Sequence, residues 1–145
     1  MKSEEHFHDG YSISTDKSRI DIPLVHEWLS QRAYWAMGRP LEIVQCSIEN
    51  SLCFGIYKGD QQVGFARVVT DYATFSWLCD VFILESHRGR GLGKQLIAAI
   101  IEHPQLKNVK RFMLATSDAH QLYAHYGDFK PLPMPEKWMV RIGKE

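Results

Sequence analysis

Residues 77–94, WLCDVFILESHRGRGLGK, run from an apolar stretch through three closely spaced glycines into a helical pattern, and no other part of the chain restricts the fold so tightly. Residues 75–84 are rich in aromatic and β-branched types and read as a strand. Between residues 92 and 103, Leu92, Leu96, Ile97, Ile100 and Ile101 fall on one side of a helix that Pro104 stops. A strand that turns through Arg88-Gly89-Arg90-Gly91-Leu92-Gly93 into a helix builds an anion site. The first turn of a helix offers unpaired N–H groups and about half a positive charge. Glycines let that backbone approach a pyrophosphate without a Cβ in the way. Arg88, Arg90 and Lys94 add positive charge at the same point.

Several phosphate loops share this logic, and the spacing separates them. A Walker A loop requires a glycine five residues before the Gly93-Lys94 pair and Ser or Thr after it. Arg88 and Gln95 occupy those positions. A dinucleotide fingerprint requires its third glycine at the position of Lys94, and an acidic residue roughly 20 positions on, where Lys110 and Arg111 stand. Both patterns fail.

The remainder of the chain supplies the frame. Residues 1–9 are polar and read as a loose end, and residues 11–15 alternate as a short strand. Ile22, Val25, Trp28, Leu29 and Ala33 recur at helical spacing, with Asp21 as N-cap and Pro23 in the first turn, so a helix is expected over 22–35. Pro40 opens a second helix to about residue 49. Residues 52–57 and 62–70 read as a hairpin about Lys58-Gly59-Asp60. Residues 109–115 read as a buried strand, residues 118–126 as a short helix ended by Gly127, and residues 138–142 as a last strand. A run of strand pairs followed by a βαβ unit implies an α/β (α+β) domain over 1–145, a single mixed, mainly antiparallel sheet with helices on both faces.

At Arg88, Gly91 and Gly93 the turn fits Gln/Arg-x-x-Gly-x-Gly/Ala, and so resembles the pyrophosphate loop of the GNAT superfamily of N-acetyltransferases. Residues 119–129, AHQLYAHYGDF, resemble the family's second signature: an alanine, then Leu-Tyr, then three residues and Gly-Phe. Thr116 stands where the family often has asparagine. Asp128 interrupts the Gly-Phe pair, which suggests a bulge at the helix exit. The resemblance spans residues 52–129, and stretches such as GFARVVTDYATF are similar to a bacterial branch of the family.

The resemblance implies acetyl-coenzyme A as cosubstrate, a GNAT fold and no metal. It assigns coenzyme contacts to Val81, Phe82 and Ile83 on the strand, and to Arg88, Gly89, Arg90, Gly91, Leu92, Gly93 and Lys94 in the turn. It implies that Tyr123 is the general acid for the departing thiolate, with Tyr126 as the fallback; a core aromatic is the other reading of Tyr123. In related diamine acetyltransferases an aspartate at the position of Asp80 faces the acceptor amine. Alternation groups Asp80 with Leu78 and Phe82, so the carboxylate is either an ammonium anchor or base, or a structural group holding backbone N–H or an arginine such as Arg67. Asp71 and Glu85 are further candidates for moving the amine's proton. Trp28, Tyr34, Trp35, Tyr72, Phe75 and Trp77 are candidate walls of the acceptor pocket.

The expected acceptor is a small-molecule amine or a protein amine. Another acyl-coenzyme A, an alcohol acceptor and a non-catalytic acyl-coenzyme A-binding module are the alternatives. Seventeen basic and seventeen acidic residues balance, which argues against a nucleic-acid partner. No apolar run approaches the roughly 20 residues of a membrane span, and the polar N-terminus is no secretory signal. Cys46, Cys53 and Cys79 lack disulfide or zinc spacing and read as free thiols. A cytoplasmic location is therefore expected, and association of two copies stays open.

Overall fold

The computed structural model describes residues 4–143. Among them, six strands form one sheet: β1 (Glu4–His6), β2 (Tyr11–Ser14), β3 (Leu52–Lys58), β4 (Gln61–Thr70), β5 (Phe75–Ile83) and β6 (Arg111–Leu114), side by side in chain order. Neighbours are antiparallel except β5 and β6, which are parallel. Two helices, α1 (Ile22–Arg32) and α2 (Leu41–Glu49), lie between β2 and β3. Helix α3 (Leu92–Glu102) makes the crossover that a parallel pair requires, and α4 (His120–Gly127) follows β6.

Local chemistry sets the boundaries. The Asp21 carboxylate accepts from the Leu24 N–H at 3.1 Å and starts α1, with Pro23 behind it. The helix stops at Arg32, earlier than its periodicity suggests, because Ala33 turns extended and residues 33–40 form a loop that packs on the sheet. The β4–β5 connection is tied by Asp71, whose Oδ1 accepts from the N–H groups of Ala73, Thr74 and Phe75. The Thr74 hydroxyl, donating to Oδ2, and those backbone donors hold the Asp71 carboxyl well below the usual carboxylate range.

Each face of the sheet has its own core. On one, Leu92, Leu96, Ile97 and Ile100 of α3 meet Ile13, Phe54, Ile56, Val68 and Leu78, with Tyr123 of α4 at the margin. On the other, Val25, Leu29, Val44 and Ile48 of α1 and α2 meet Cys53, Phe65 and Phe82. The helices thus lie on both faces, as the pattern implies.

Two expectations fail at the chain ends. Residues 4–6 are not a loose end; they pair with β2 as β1. Residues 138–142 form no strand. Pro131, Pro133 and Pro135 precede them, each without the N–H a ladder requires, and Met134 takes a left-handed φ of 52°. The tail is thereby carried off instead of returning along β6.

Candidate active site

Strands β5 and β6 part company. Their pairing ends at Leu78 opposite Leu114, while β5 continues to Ile83. Over Phe82 and Ile83 it is paired only with β4, through Phe65 and Gly64. The β6-facing backbone of residues 79–83 is therefore an open edge. The Val81 and Ile83 side chains pack toward α3, and Phe82 lies on the other side, stacked on Trp28 at 4.4 Å.

Beyond that edge, one turn of 3-10 helix (Glu85–His87) leads into the glycine turn. Arg88 Nε donates to the Ile83 carbonyl at 3.0 Å, and Tyr11 Oη meets His87 Nδ1 at 2.8 Å, so both ends of this turn are pinned. Gly89 and Gly91 have φ of 79° and 76°, with open space where a Cβ would stand; the left-handed backbone requires them. Gly91 is the N-cap of α3 and no side chain caps the helix. The first intrahelical bond is Gln95 N–H to Gly91 O at 3.1 Å, which leaves the amides of Leu92, Gly93 and Lys94 for a ligand. Gly93 lies close under Leu122 of α4 and Ile83 of β5. Arg88, Arg90 and Lys94 are exposed around this helix end. The residues fit a pyrophosphate at the helix end and an extended arm along β5.

Asp80 sits elsewhere than alternation indicates. Phe65 pairs with Phe82 and Arg67 with Cys79, so two residues of β5, Asp80 and Val81, stand opposite Ala66 alone. This is a β-bulge, with Asp80 at φ 53°. The extra residue reverses the faces: Leu78 belongs to the α3 core and Phe82 to the α1–α2 core. The grouping of Asp80 with both is thereby corrected. Its side chain points to the α1–α2 side, 1% exposed. There Oδ1 accepts from Trp35 Nε1 at 2.8 Å, and Oδ2 from Arg39 Nη1 at 2.8 Å and Arg67 Nε at 2.9 Å. Burial opposes its charge, yet Arg67 and Arg39 hold the carboxyl below its ordinary range. Arg67 also donates to Ser51 Oγ. Arg39 escaped the sequence reading: a lone arginine between Gly38 and Pro40 gives no periodic signal. Around this cluster runs an aromatic series, Phe82 on Trp28, Trp28 beside Trp35 at 6.2 Å and Tyr34 edge-on to Trp35 at 5.0 Å.

Tyr123 is 8% exposed and packs edge-on to Phe129. Burial, with Asp118 adding to it, pushes its phenol above the ordinary range. Tyr126 is 41% exposed, with the Lys94 ammonium 5.4 Å from its ring centre. Asp128 makes no β-bulge. It takes the left-handed position after α4, φ 56°, and its N–H caps the Tyr123 carbonyl. The preceding Gly127 serves close packing: a Cβ there would come within 2.9 Å of Ile101. Glu85 is exposed and Asp71 is committed to its turn. Tyr72, Phe75 and Trp77 lie at the far end of β5 from the open edge.

The model of the acetyltransferase (GNAT) family matches residues 22–127. The chain belongs to the GNAT acetyltransferase family. The crystal structure of a GNAT-family protein from Xanthomonas campestris pv. campestris is 52% identical, with a TM-score of 0.88 over 92% of this chain and 93% of that one. The uncharacterized N-acetyltransferase ycf52-like of Prochlorococcus marinus is 31% identical over 73% of this chain and 61% of its own length. A Clostridium acetobutylicum protein solved with acetyl-CoA is 13% identical with a TM-score of 0.63, over 98% of this chain and 96% of that one, a likeness of fold. No described helix is long and apolar enough to cross a membrane.

Proposed function

We propose that this chain transfers the acetyl group of acetyl-coenzyme A to a primary amine by direct attack in a ternary complex. One observation carries the reading: an uncapped helix N-terminus with left-handed glycines lies just past the open edge of β5. A pyrophosphate on the amides of residues 92–94, flanked by Arg88, Arg90 and Lys94, directs an extended pantetheine arm along Val81 to Ile83. Backbone N–H groups of that edge then reach the thioester carbonyl and stabilise its developing oxyanion.

The neutral amine attacks the carbonyl carbon, the C–S bond breaks, the thiolate takes a proton from Tyr123, and the proton that the new amide nitrogen sheds restores the phenol through solvent. An alkylamine of pKa near 10.4 is mostly protonated at pH 7, and its deprotonation costs about 4.6 kcal/mol there. In water a phenol near 10 gives its proton to a thiolate of pKa near 8.5 uphill, by about 2 kcal/mol. Burial raises Tyr123 further, so its proton moves as the C–S bond breaks, when burial of the sulfur makes the naked thiolate costly too. Asp80, holding three donors, acts in this reading as the group that fixes residues 33–40 and the aromatic wall against β5.

The test is release of free coenzyme A thiol from acetyl-coenzyme A with small amines, amino acids, aminoglycosides and a lysine peptide. Turnover with at least one amine is expected. Tight coenzyme binding with no turnover on any acceptor would favour a binding module, and absence of binding would remove both readings.

A further inference from the structure

The ion cluster behind β5 does not balance. Arg39 and Arg67 each have one ion-pair partner among the described residues, and it is the same carboxylate, Asp80. Both donate to its Oδ2, while Oδ1 is taken by Trp35. Across the ladder Arg67 stands between Cys53 and Cys79, and neither thiol supplies the missing charge. Burial pushes them up to about 12 and about 11, so both stay protonated at neutral pH. Two guanidiniums against one carboxylate leave one positive charge in excess, in a largely closed place where an unmatched ion is costly.

The spare donors are accessible. Arg67 gives Nε to Asp80 and Nη1 to Ser51, whereas Arg39 gives only Nη1. Nε and Nη2 of Arg39 have no acceptor among the described residues, and neither is sealed inside the fold. These two nitrogens form the side-on fork with which a guanidinium takes both oxygens of one carboxylate. Next to the fork stand ring faces of the same loop, Tyr34 64% and Trp35 40% exposed. Val81, where the open edge of β5 runs on, directly follows Asp80.

We infer that the acceptor is an amino acid, its carboxylate held by the free fork of Arg39 and its side chain laid on the Tyr34–Trp35 wall. This rests on the transfer reading above and narrows its acceptor. The carboxylate supplies the anion that the cluster lacks, and seating it beside Asp80 brings the amino group of the same molecule to the edge at Val81. A guanidinium close to that amino group favours its neutral form, which is the form that attacks. The same charge repels a second ammonium, so diamines are poor acceptors.

The experiment measures kcat/KM by release of coenzyme A thiol for phenylalanine, leucine, methionine and alanine, each against its own amide, with phenethylamine and a short alkyl diamine alongside. In the wild type at least one amino acid should exceed its amide by about 10- to 100-fold, the worth of a charge-assisted pair, and the diamine should be the poorest. Arg39→Gln should bring that ratio to within about twofold, mainly through KM, and Arg39→Lys should recover part of it. A merely structural Arg39 would lower amino acid and amide alike and leave their ratio unchanged. Titration calorimetry of the same pairs in the presence of coenzyme A reads the site without turnover. A carboxylate preference in binding that Arg39→Gln removes, with no acceptor turned over, upholds the anion site and sinks acetyl transfer. Absence of a carboxylate preference in both assays overturns the inference, and turnover of the amides would then still support transfer. A preference that persists unchanged in Arg39→Gln overturns it as well.

Discussion

Replacing Asp80 by asparagine keeps the size and one oxygen of the side chain but removes the charge that two arginines share. Truncating one partner of a buried ion pair costs about 3–5 kcal/mol, much of it from the charge left behind. Here the Asp80 side chain is 1% exposed, but Arg67 and Arg39 keep 14% and 21%, and some solvent reaches them once the carboxylate is gone. The lower end of the range applies, about 3 kcal/mol, which for a chain of this length lowers Tm by roughly 10 °C. The sign of the pH dependence follows from the depressed carboxyl. Its contribution is fully present above the unfolded value near 3.9 and is lost as pH falls through the lower folded value. The gap between wild type and Asp80→Asn should therefore hold from pH 7 to 5 and close below pH 4. Differential scanning fluorimetry across that range measures it. Turnover in the variant should fall for cationic and neutral acceptors alike. A Tm within 2 °C of wild type, with loss confined to diamines, would refute the structural argument and restore Asp80 as an ammonium anchor.

Tyr123→Phe should lower kcat by roughly 10² to 10⁴ while the acetyl-coenzyme A Kd stays within a few fold, because the hydroxyl matters as the bond breaks; Tyr126→Phe should stay active, and the reverse pattern in stopped assays would place the acid one turn on. Arg88→Glu with Arg90→Glu should abolish most of the thermal shift given by acetyl-coenzyme A, expected at about 2.7 kcal/mol at 100 times Kd for the wild type; an undiminished shift by fluorimetry would move the pyrophosphate elsewhere. Burial pushes Cys53 up to about 12, Cys79 to about 11 and Tyr57 to about 12. Raised values give stability that is intact below the unfolded pKa values and lost as pH rises toward the folded ones, so urea midpoints should fall steadily from pH 9 to 11, and Cys53→Ala should flatten that fall.

The geometry of the glycine turn was legible because its determinants are local: glycines at left-handed positions, a helix start and three cations occur within seven residues. The helices on both faces were legible from periodicity. The bulge at Asp80 was not, since residues 78, 80 and 82 alternate in sequence and only the mismatch with Ala66 across the ladder reveals the extra residue. Arg39 was missed for a related reason: its partner lies 41 positions away, and neither residue signals the other. The tail misled because strand propensity states what a segment can pair with, not whether a partner edge exists in the same chain.

The bulge in β5 has a mechanical corollary. Because one added residue shifts the pleat, Leu78 before Asp80 and Val81 and Ile83 after it are held on the α3 side, while Phe82 and the Asp80 carboxylate are held on the side of α1 and α2. The open edge at Val81 and Ile83 takes its rigidity from α3, whereas the aromatic wall around Trp35 takes its from α1 and α2. Under the proposed function these are the donor side and the acceptor side, so damage to one layer loosens one berth while the other keeps its shape.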